Sequence, residues 1–283
     1  MRKNNFALLL LLVFVFASCQ KEIDWGINNG GGTSGTTLVK TVSKEAVDSA
    51  VTVYSYDANK RLINVKITGK SQGTDVGNEE RIYRNAAGVI TSMTQINNML
   101  LAAGIDSTVT RINSSTSPDR YASKVSSLSL FGFSVMDSIV LVYNAAGKVV
   151  QEDTYQAIPF LSQPYELTLK VKYIYDAGGN ISQTDTYSHD AATGVDDLAS
   201  TIKYTFDSKT AAITLNNDAF AIGHPDWISL NNASKIEITS PTTPAANRTL
   251  NIIYTYNSNS RPKTGVNTQT PGPIVSNLTY YYQ

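Results

Sequence analysis

One short phrase recurs along this chain and limits its fold more than any other feature. It appears as "YSYDANKRL", "IYRNAAGVI", "LVYNAAGKV", "YIYDAGGNI", "YTFDSKTAAI" and "YTYNSNSRP", each built around an Asp or Asn: Asp57, Asn85, Asn144, Asp176, Asp207 and Asn257. The intervals between these residues are 28, 59, 32, 31 and 50. The longest interval is close to two units, with a degenerate copy expected within "RINSSTSPDRYASKV", and the last interval carries an insertion. A unit of about 30 residues holds two strand pairs with their turns.

Each copy reads as a β-hairpin. Asp or Asn opens a turn because its side chain accepts a hydrogen bond from backbone two residues on. Gly88, Gly147 and Gly179 fall where a four-residue turn needs left-handed backbone, which Gly adopts without steric cost. Asn59 and Asn259 are expected to take that role in their copies, one position earlier. The flanks are strand formers. Alternation places Ile63, Val65 and Ile67 on one face after the first turn, and Val171, Tyr173 and Tyr175 on one face before the fourth. The terminal "NLTYYYQ" reads as a last strand that closes the sheet, with Leu278, Tyr280 and Tyr282 on one face. The expectation is an all-β chain: a long antiparallel meander of repeated hairpins, about a dozen strands, forming a twisted open sheet or half-barrel. Helix is expected only near the N-terminus and in a short turn at 97–103.

Lys+Arg 23 balances Asp+Glu 23, so no charge excess points to nucleic acid. The single cysteine, Cys19, excludes an internal disulfide and a cysteine metal cluster. It follows Arg2 and Lys3 and the apolar run "FALLLLLVFVFA". That run is too short for a comfortable membrane span and has the length of a signal-peptide core. "FASC" resembles the lipobox of bacterial lipoproteins, and the resemblance implies cleavage before Cys19 and acylation of it. "CQKEID" resembles the signal that exports Bacteroidota lipoproteins to the outer face of the outer membrane. The division expected is 1–18 signal peptide, 19–37 lipidated cysteine and a flexible Gly/Asn/Ser/Thr tether, and 38–283 one β domain.

The repeat itself resembles the YD, or RHS-type, repeat. The wider pattern is similar to a set of Bacteroidota surface lipoproteins with a YD-repeat-like domain of unknown function. "YTYNSNSRPKTG" matches the late repeat of that set, and "GHPDW", residues 223–227, sits where its members carry an inserted loop. The resemblance implies a membrane-anchored, surface-exposed protein without a cofactor.

Chemistry is sparse. His189 and His224 are the only histidines, with no metal-ligand spacing. No nucleophile elbow, P-loop or dinucleotide fingerprint occurs. "GHPDW" brings His224, Asp226 and Trp227 together; as a structural insertion it would have Trp227 plug the core and leave His224 and Asp226 in water. The paired tyrosines Tyr54 and Tyr56, Tyr173 and Tyr175, and Tyr254 and Tyr256 precede turns at spacing two, so each pair shares a face. As a ladder they either pack the core or form an aromatic strip for a glycan or protein ligand. Three functions stay open: non-catalytic binding of glycan or protein at the outer membrane, a hydrolase on the 219–229 loop, and a purely structural envelope role.

Overall fold

A computed structural model describes residues 35–46, 48–71, 73–117, 120–130, 133–161, 163–272 and 274–283. The expectations for the signal peptide, Cys19 and most of the tether fall outside these residues. The described chain forms β1 (Leu38–Lys44), β2 (Ser49–Tyr56), β3 (Leu62–Ser71), β4 (Thr74–Arg84), β5 (Ile90–Asn97), β6 (Thr108–Ser114), β7 (Tyr121–Leu130) and β8 (Phe133–Tyr143). It continues with β9 (Val149–Ile158), β10 (Gln163–Tyr175), β11 (Ile181–Asp190), β12 (Val195–Thr210), β13 (Asn231–Thr239), β14 (Arg248–Tyr256), β15 (Pro262–Thr270) and β16 (Ile274–Tyr282). Each strand pairs antiparallel with its sequence neighbours, and β1 pairs with β16 through Leu38–Tyr282 to Lys44–Asn277, so the sheet is a closed barrel.

This corrects the open sheet or half-barrel. The meander and the antiparallel pairing are as expected, but sixteen strands, not about a dozen, bring the last strand back to the first. Closure removes the two unpaired edges that an open sheet would expose. "NLTYYYQ" does supply the closing strand, with Leu278, Tyr280 and Tyr282 opposite Ser43, Thr41 and Leu38.

The repeated phrase does more than turn the chain. Asp57, Asn85, Asn144, Asp176 and Asn257 each accept, through Oδ1, the amide of the residue four positions on, at 2.9–3.1 Å. Gly88, Gly147 and Gly179 have φ of 87°, 79° and 91°. In the other two copies Lys60 and Ser260 take the left-handed position at 60° and 58°, not Asn59 and Asn259. The degenerate copy is the turn between β6 and β7, where the Ser115 amide meets the Arg120 carbonyl. Asp207 is the exception: β12 runs on to Thr210, and 211–230 is an insertion before β13.

After each of these turns the register slips by one residue. Tyr56 faces Leu62 while Ser55 faces Asn64, so Ile63 is the extra residue of a β-bulge. Thr91, Val150, Ser182 and Lys263 are extra in the same way. The bulge interrupts the alternation expected after the first turn: Ile63 has no partner on β2, and Leu62 is the buried residue that joins Val65 in the core. It also makes the first strand residue a buried one, giving a belt of Leu62, Ile90, Val149, Ile181 and Pro262 around one end of the barrel.

The tyrosine before the turn completes the unit. Tyr56, Tyr143, Tyr175 and Tyr282 donate their hydroxyls to the carbonyls of Leu38, Tyr121, Val149 and Pro262 at 2.8–3.0 Å. Each latches the end of one strand to the start of the strand before it. In the "YRN" copy Arg84 reaches the Leu62 carbonyl instead, at 3.3 Å. A buried carbonyl without a partner costs about 1–3 kcal/mol, so the tyrosine recurs with the turn because the strand ends need a donor.

Successive connections of a closed meander fall at opposite ends of the barrel. All the repeated turns therefore lie at one end, here the turn end, with the 211–230 insertion. The other, distal end carries mostly shorter connections of two to four residues and two longer ones, 98–107 and 240–247; the first holds α1 (Asn98–Ala102), capped by Asn97, whose Oδ1 accepts the Leu100 amide at 2.8 Å.

Candidate functional site

The two faces of the wall differ in chemistry. Outward positions pair opposite charges across strands: Lys66 with Glu79, Lys70 with Asp75, Lys170 with Asp153, Lys172 with Asp185 and Lys203 with Glu237. Such pairs stabilise a water-facing sheet modestly. They are prohibitive against lipid, where one Lys or Arg at mid-depth costs about 2–4 kcal/mol and several would consume a domain's net stability of about 5–15 kcal/mol. Membrane-spanning barrels carry a continuous apolar band outside; here the outer face mixes these charges with exposed apolar residues such as Val53, Val140, Ile174 and Ile253. No described helix is long and apolar enough to cross a membrane.

Inward positions are apolar and aromatic toward the turn end. Tyr54, Val65, Ile82, Ile112, Leu141 and Tyr173 are buried and belong to one core cluster. Further along, the inner face divides. From β12 to β16 it shows Ile202, Tyr204, Ile236, Ile238, Leu250, Ile252, Leu278 and Tyr280, all only half-buried. From β5 to β9 the matching positions are polar: Gln95, Thr110, Ser126, Asp137 and Gln156, also half-buried. Burial raises the Asp137 carboxyl above its usual range, opposed by the Gln156 amide donating to it at 2.9 Å. Sixteen strands spaced about 4.8 Å apart and tilted about 40° enclose roughly 30 Å backbone to backbone, wide enough for a lumen.

The 211–230 insertion folds into the turn end as a plug. At its base the Ala211 amide meets the Leu230 carbonyl at 2.9 Å, Arg261 donates to the Ala211 carbonyl at 2.6 Å, and Asn180 accepts the Leu230 amide at 2.8 Å. The plug then carries α2 (Asp218–Ala221), whose Ala219, Phe220 and Ala221 are fully buried. Asp218 pairs with Arg84 at 2.8 Å and accepts the Tyr121 hydroxyl at 2.5 Å. Lys124 donates to the Phe220 carbonyl at 2.7 Å and to Glu152 at 2.9 Å, and Tyr173 donates to the other Glu152 oxygen at 3.1 Å. Phe220 meets the Tyr173 ring edge-on, centroids 5.1 Å apart. Desolvation, then the Glu152 charge, pushes the Tyr173 phenol well above its ordinary range, so it stays a donor.

Past Gly223 the plug reaches its deepest point. His224 Nε2 lies 2.8 Å from Glu80, four residues before Arg84 on β4 and about 10 Å deeper along the barrel at strand rise and tilt. The imidazole stacks on Trp227 with centroids 4.0 Å apart and planes 5° apart, and Trp227 meets Tyr54 edge-on at 6.0 Å. Desolvation lowers the His224 pKa, but the charge and hydrogen bond of Glu80, aided by Asp226, outweigh it and the net shift is upward. Asp226 is reached by solvent, yet burial among neighbouring groups raises its carboxyl above the usual range. A group both wet and enclosed is one that faces the lumen.

The sequence-singled residues thus divide. His224, Asp226, Trp227 and Tyr54 meet at the plug tip, and Tyr173 holds the plug from the opposite wall. Tyr56, Tyr175 and Tyr256 lie at the turn end, the first two as latches and Tyr256 as a donor to Asp207. Tyr254 lies on the half-buried inner face, with Tyr280 at 6.4 Å and its hydroxyl donating to Ala233. None of the six forms an outer aromatic strip. His224 does not simply face water; its ring is taken up by Glu80 and Trp227, and among the described residues no hydroxyl or thiol contacts it. Glu80, Arg84, Lys124, Glu152 and Asp218 were missed. Their signal was present in "ERIYR" (80–84), where Glu80 and Arg84 keep phase with the buried Ile82.

Closed wall, charge-bearing exterior and an interior plugged at one end together define a closed antiparallel barrel. No family model and no curated protein matches the chain. Among solved structures, the chain is similar to a porin-like protein from Bacteroides uniformis, with 12% identity over 88% of this chain and 99% of that one, at a TM-score of 0.52. A porin-like protein from Bacteroides vulgatus has the same identity and coverage at 0.47. The first likeness is one of fold: a closed antiparallel barrel.

Proposed function

We propose that this chain is a non-catalytic binding barrel, held at the outer membrane by acyl chains on Cys19 and standing in water, and that it takes a slender amphiphilic ligand into its lumen from the distal end. The observation that carries this reading is the polarity of the wall. Lysines and carboxylates stand in register across the outer face, while half-buried Ile236, Leu250, Ile252 and Tyr254 face polar Gln95, Ser126 and Gln156 across the inside. An apolar strip opposite a polar one fits a molecule with both kinds of face. The plug makes the lumen a blind cup, which suits retention better than passage. The resemblance of "FASC" and "CQKEID" to lipoprotein signals supports the address. The hydrolase reading has little support, since His224 has no nucleophile beside it among the described residues.

The test is binding of an environment-sensitive naphthyl fluorophore to the purified full chain, paired with conductance measurements in planar bilayers. The proposal expects saturable binding weakened by Leu250→Asp and Ile252→Asp, and no channel steps. Steady conductance with no saturable binding would overturn it.

A further inference from the structure

Around the plug tip, acceptors outnumber donors. Glu80 and Asp226 both act on one imidazole, His224. The cations nearest the plug are held at the turn end, Arg84 by Asp218 with its Nε unpaired, and Lys124 by Glu152 and the Phe220 carbonyl. Two further oxygens on the same stretch of inner wall have no partner. Thr52 is 2% exposed and its hydroxyl oxygen meets no hydrogen-bonding group. Asn78 donates through Nδ2 to Glu80 at 3.3 Å, leaving its Oδ1 enclosed and unpaired. Register places these side by side: Thr52 opposite Ile67, Ile67 opposite Asn78, and Tyr54 opposite Val65, which faces Glu80. The indole of Trp227 and the ring of Tyr54 border the same stretch.

We infer that the lumen floor is a recognition site for a primary ammonium group, carried at one end of the amphiphilic ligand. An ammonium brings three donors and no acceptor, the complement of a floor with spare oxygens. It supplies a second positive charge where two carboxylates, Glu80 and Asp226, share the single imidazole of His224. The neighbouring indole and phenol faces favour a cation over a neutral polar group of the same size. A carboxylate or phosphate head would meet two like charges there, with the Thr52 hydroxyl as its one unpaired donor. This inference rests on the lumen-binding reading and adds the chemistry of the head group.

The experiment compares dansylcadaverine, a naphthyl sulfonamide with a free amine, with its N-acetylated form. Both are titrated into the purified full chain, with partition into lipid or detergent subtracted by a matched blank. The expected result is about tenfold tighter binding of the free amine. Asp226→Asn and the near-isosteric Thr52→Val should each reduce that preference and leave the acetylated probe unchanged. Asp226 makes no side-chain hydrogen bond to the wall, so its variant should melt as the parent does, and Thr52→Val provides an independent second reading. Equal binding of the two probes would overturn the ammonium site and leave lumen binding standing. A preference for the amine that survives both variants would place its recognition elsewhere and overturn the site. No binding of either probe would overturn both readings.

Discussion

The inner and outer faces of this wall are made by the same strands, with side chains alternating between them, yet they respond to different forces. On the outer face opposite charges stand in register, as Lys66 faces Glu79, and each contributes little. Inside, the charges that hold the plug are few, buried and matched: Arg84 with Asp218, and Lys124 with Glu152, at 8% and 12% exposure in the second pair. The difference teaches that count is a poor guide to weight. A handful of inward polar contacts holds the plug, while the more numerous outer pairs mainly decide which solvent the barrel meets.

That contrast can be broken most sharply at Lys124. Lys124→Met leaves Glu152 buried without its cation and frees the Phe220 carbonyl, and should cost about 3–5 kcal/mol in denaturant unfolding. A loss under about 1 kcal/mol would mean that the plug is not held there. Next comes the latch. Tyr175→Phe removes only a hydroxyl but orphans the Val149 carbonyl, and chemical denaturation should register about 1–3 kcal/mol. At the turn, Gly147 has φ 79° and a methyl there would meet Arg120 Nη2 at 2.7 Å. Gly147→Ala should therefore cost about 1–2 kcal/mol, while Lys60→Gly at the equivalent position should stabilise slightly.

A pH effect separates the plug from the wall. The His224 pKa is raised in the fold, so its pairing with Glu80 is fully present below the unfolded value and is lost as pH rises through the folded one. The stability difference between the parent and His224→Gln should shrink from mildly acidic to mildly alkaline solution; a difference that stays constant would remove His224 from the account. The smallest effect belongs outside: Lys66→Val should change stability by no more than about 0.5 kcal/mol.

What the sequence made legible follows the range of the interactions. Asp57, Asn144 and Asp176 make their turns within five residues, so the hairpins, their order and the short helix beside Asn97 were visible without a structure. The bulges were not, because Ile63 or Val150 reads as one more strand former until the partner strand shows two residues facing one. Closure was not legible either: it depends on Leu38 meeting Tyr282, and the terminal strand could be recognised as closing a sheet without revealing that it returns to β1. At the candidate site, "GHPDW" pointed to the correct loop because Gly, Pro and an aromatic stand out locally. Glu80 could not be joined to His224, since 144 residues separate them in sequence. The tyrosines were found, but the choice between core packing and an exposed strip stayed open, because alternation tells which residues share a face and not which solvent that face meets.

The central claim is that the outer face of this barrel is bathed in water. Single cysteines replacing Lys66, Arg81 and Lys203, treated with a charged, membrane-impermeant maleimide in the membrane-associated full chain, test it directly. The account predicts that all three label as fast before detergent is added as after. Cysteines that are shielded by the membrane and label only once it is dissolved would contradict it.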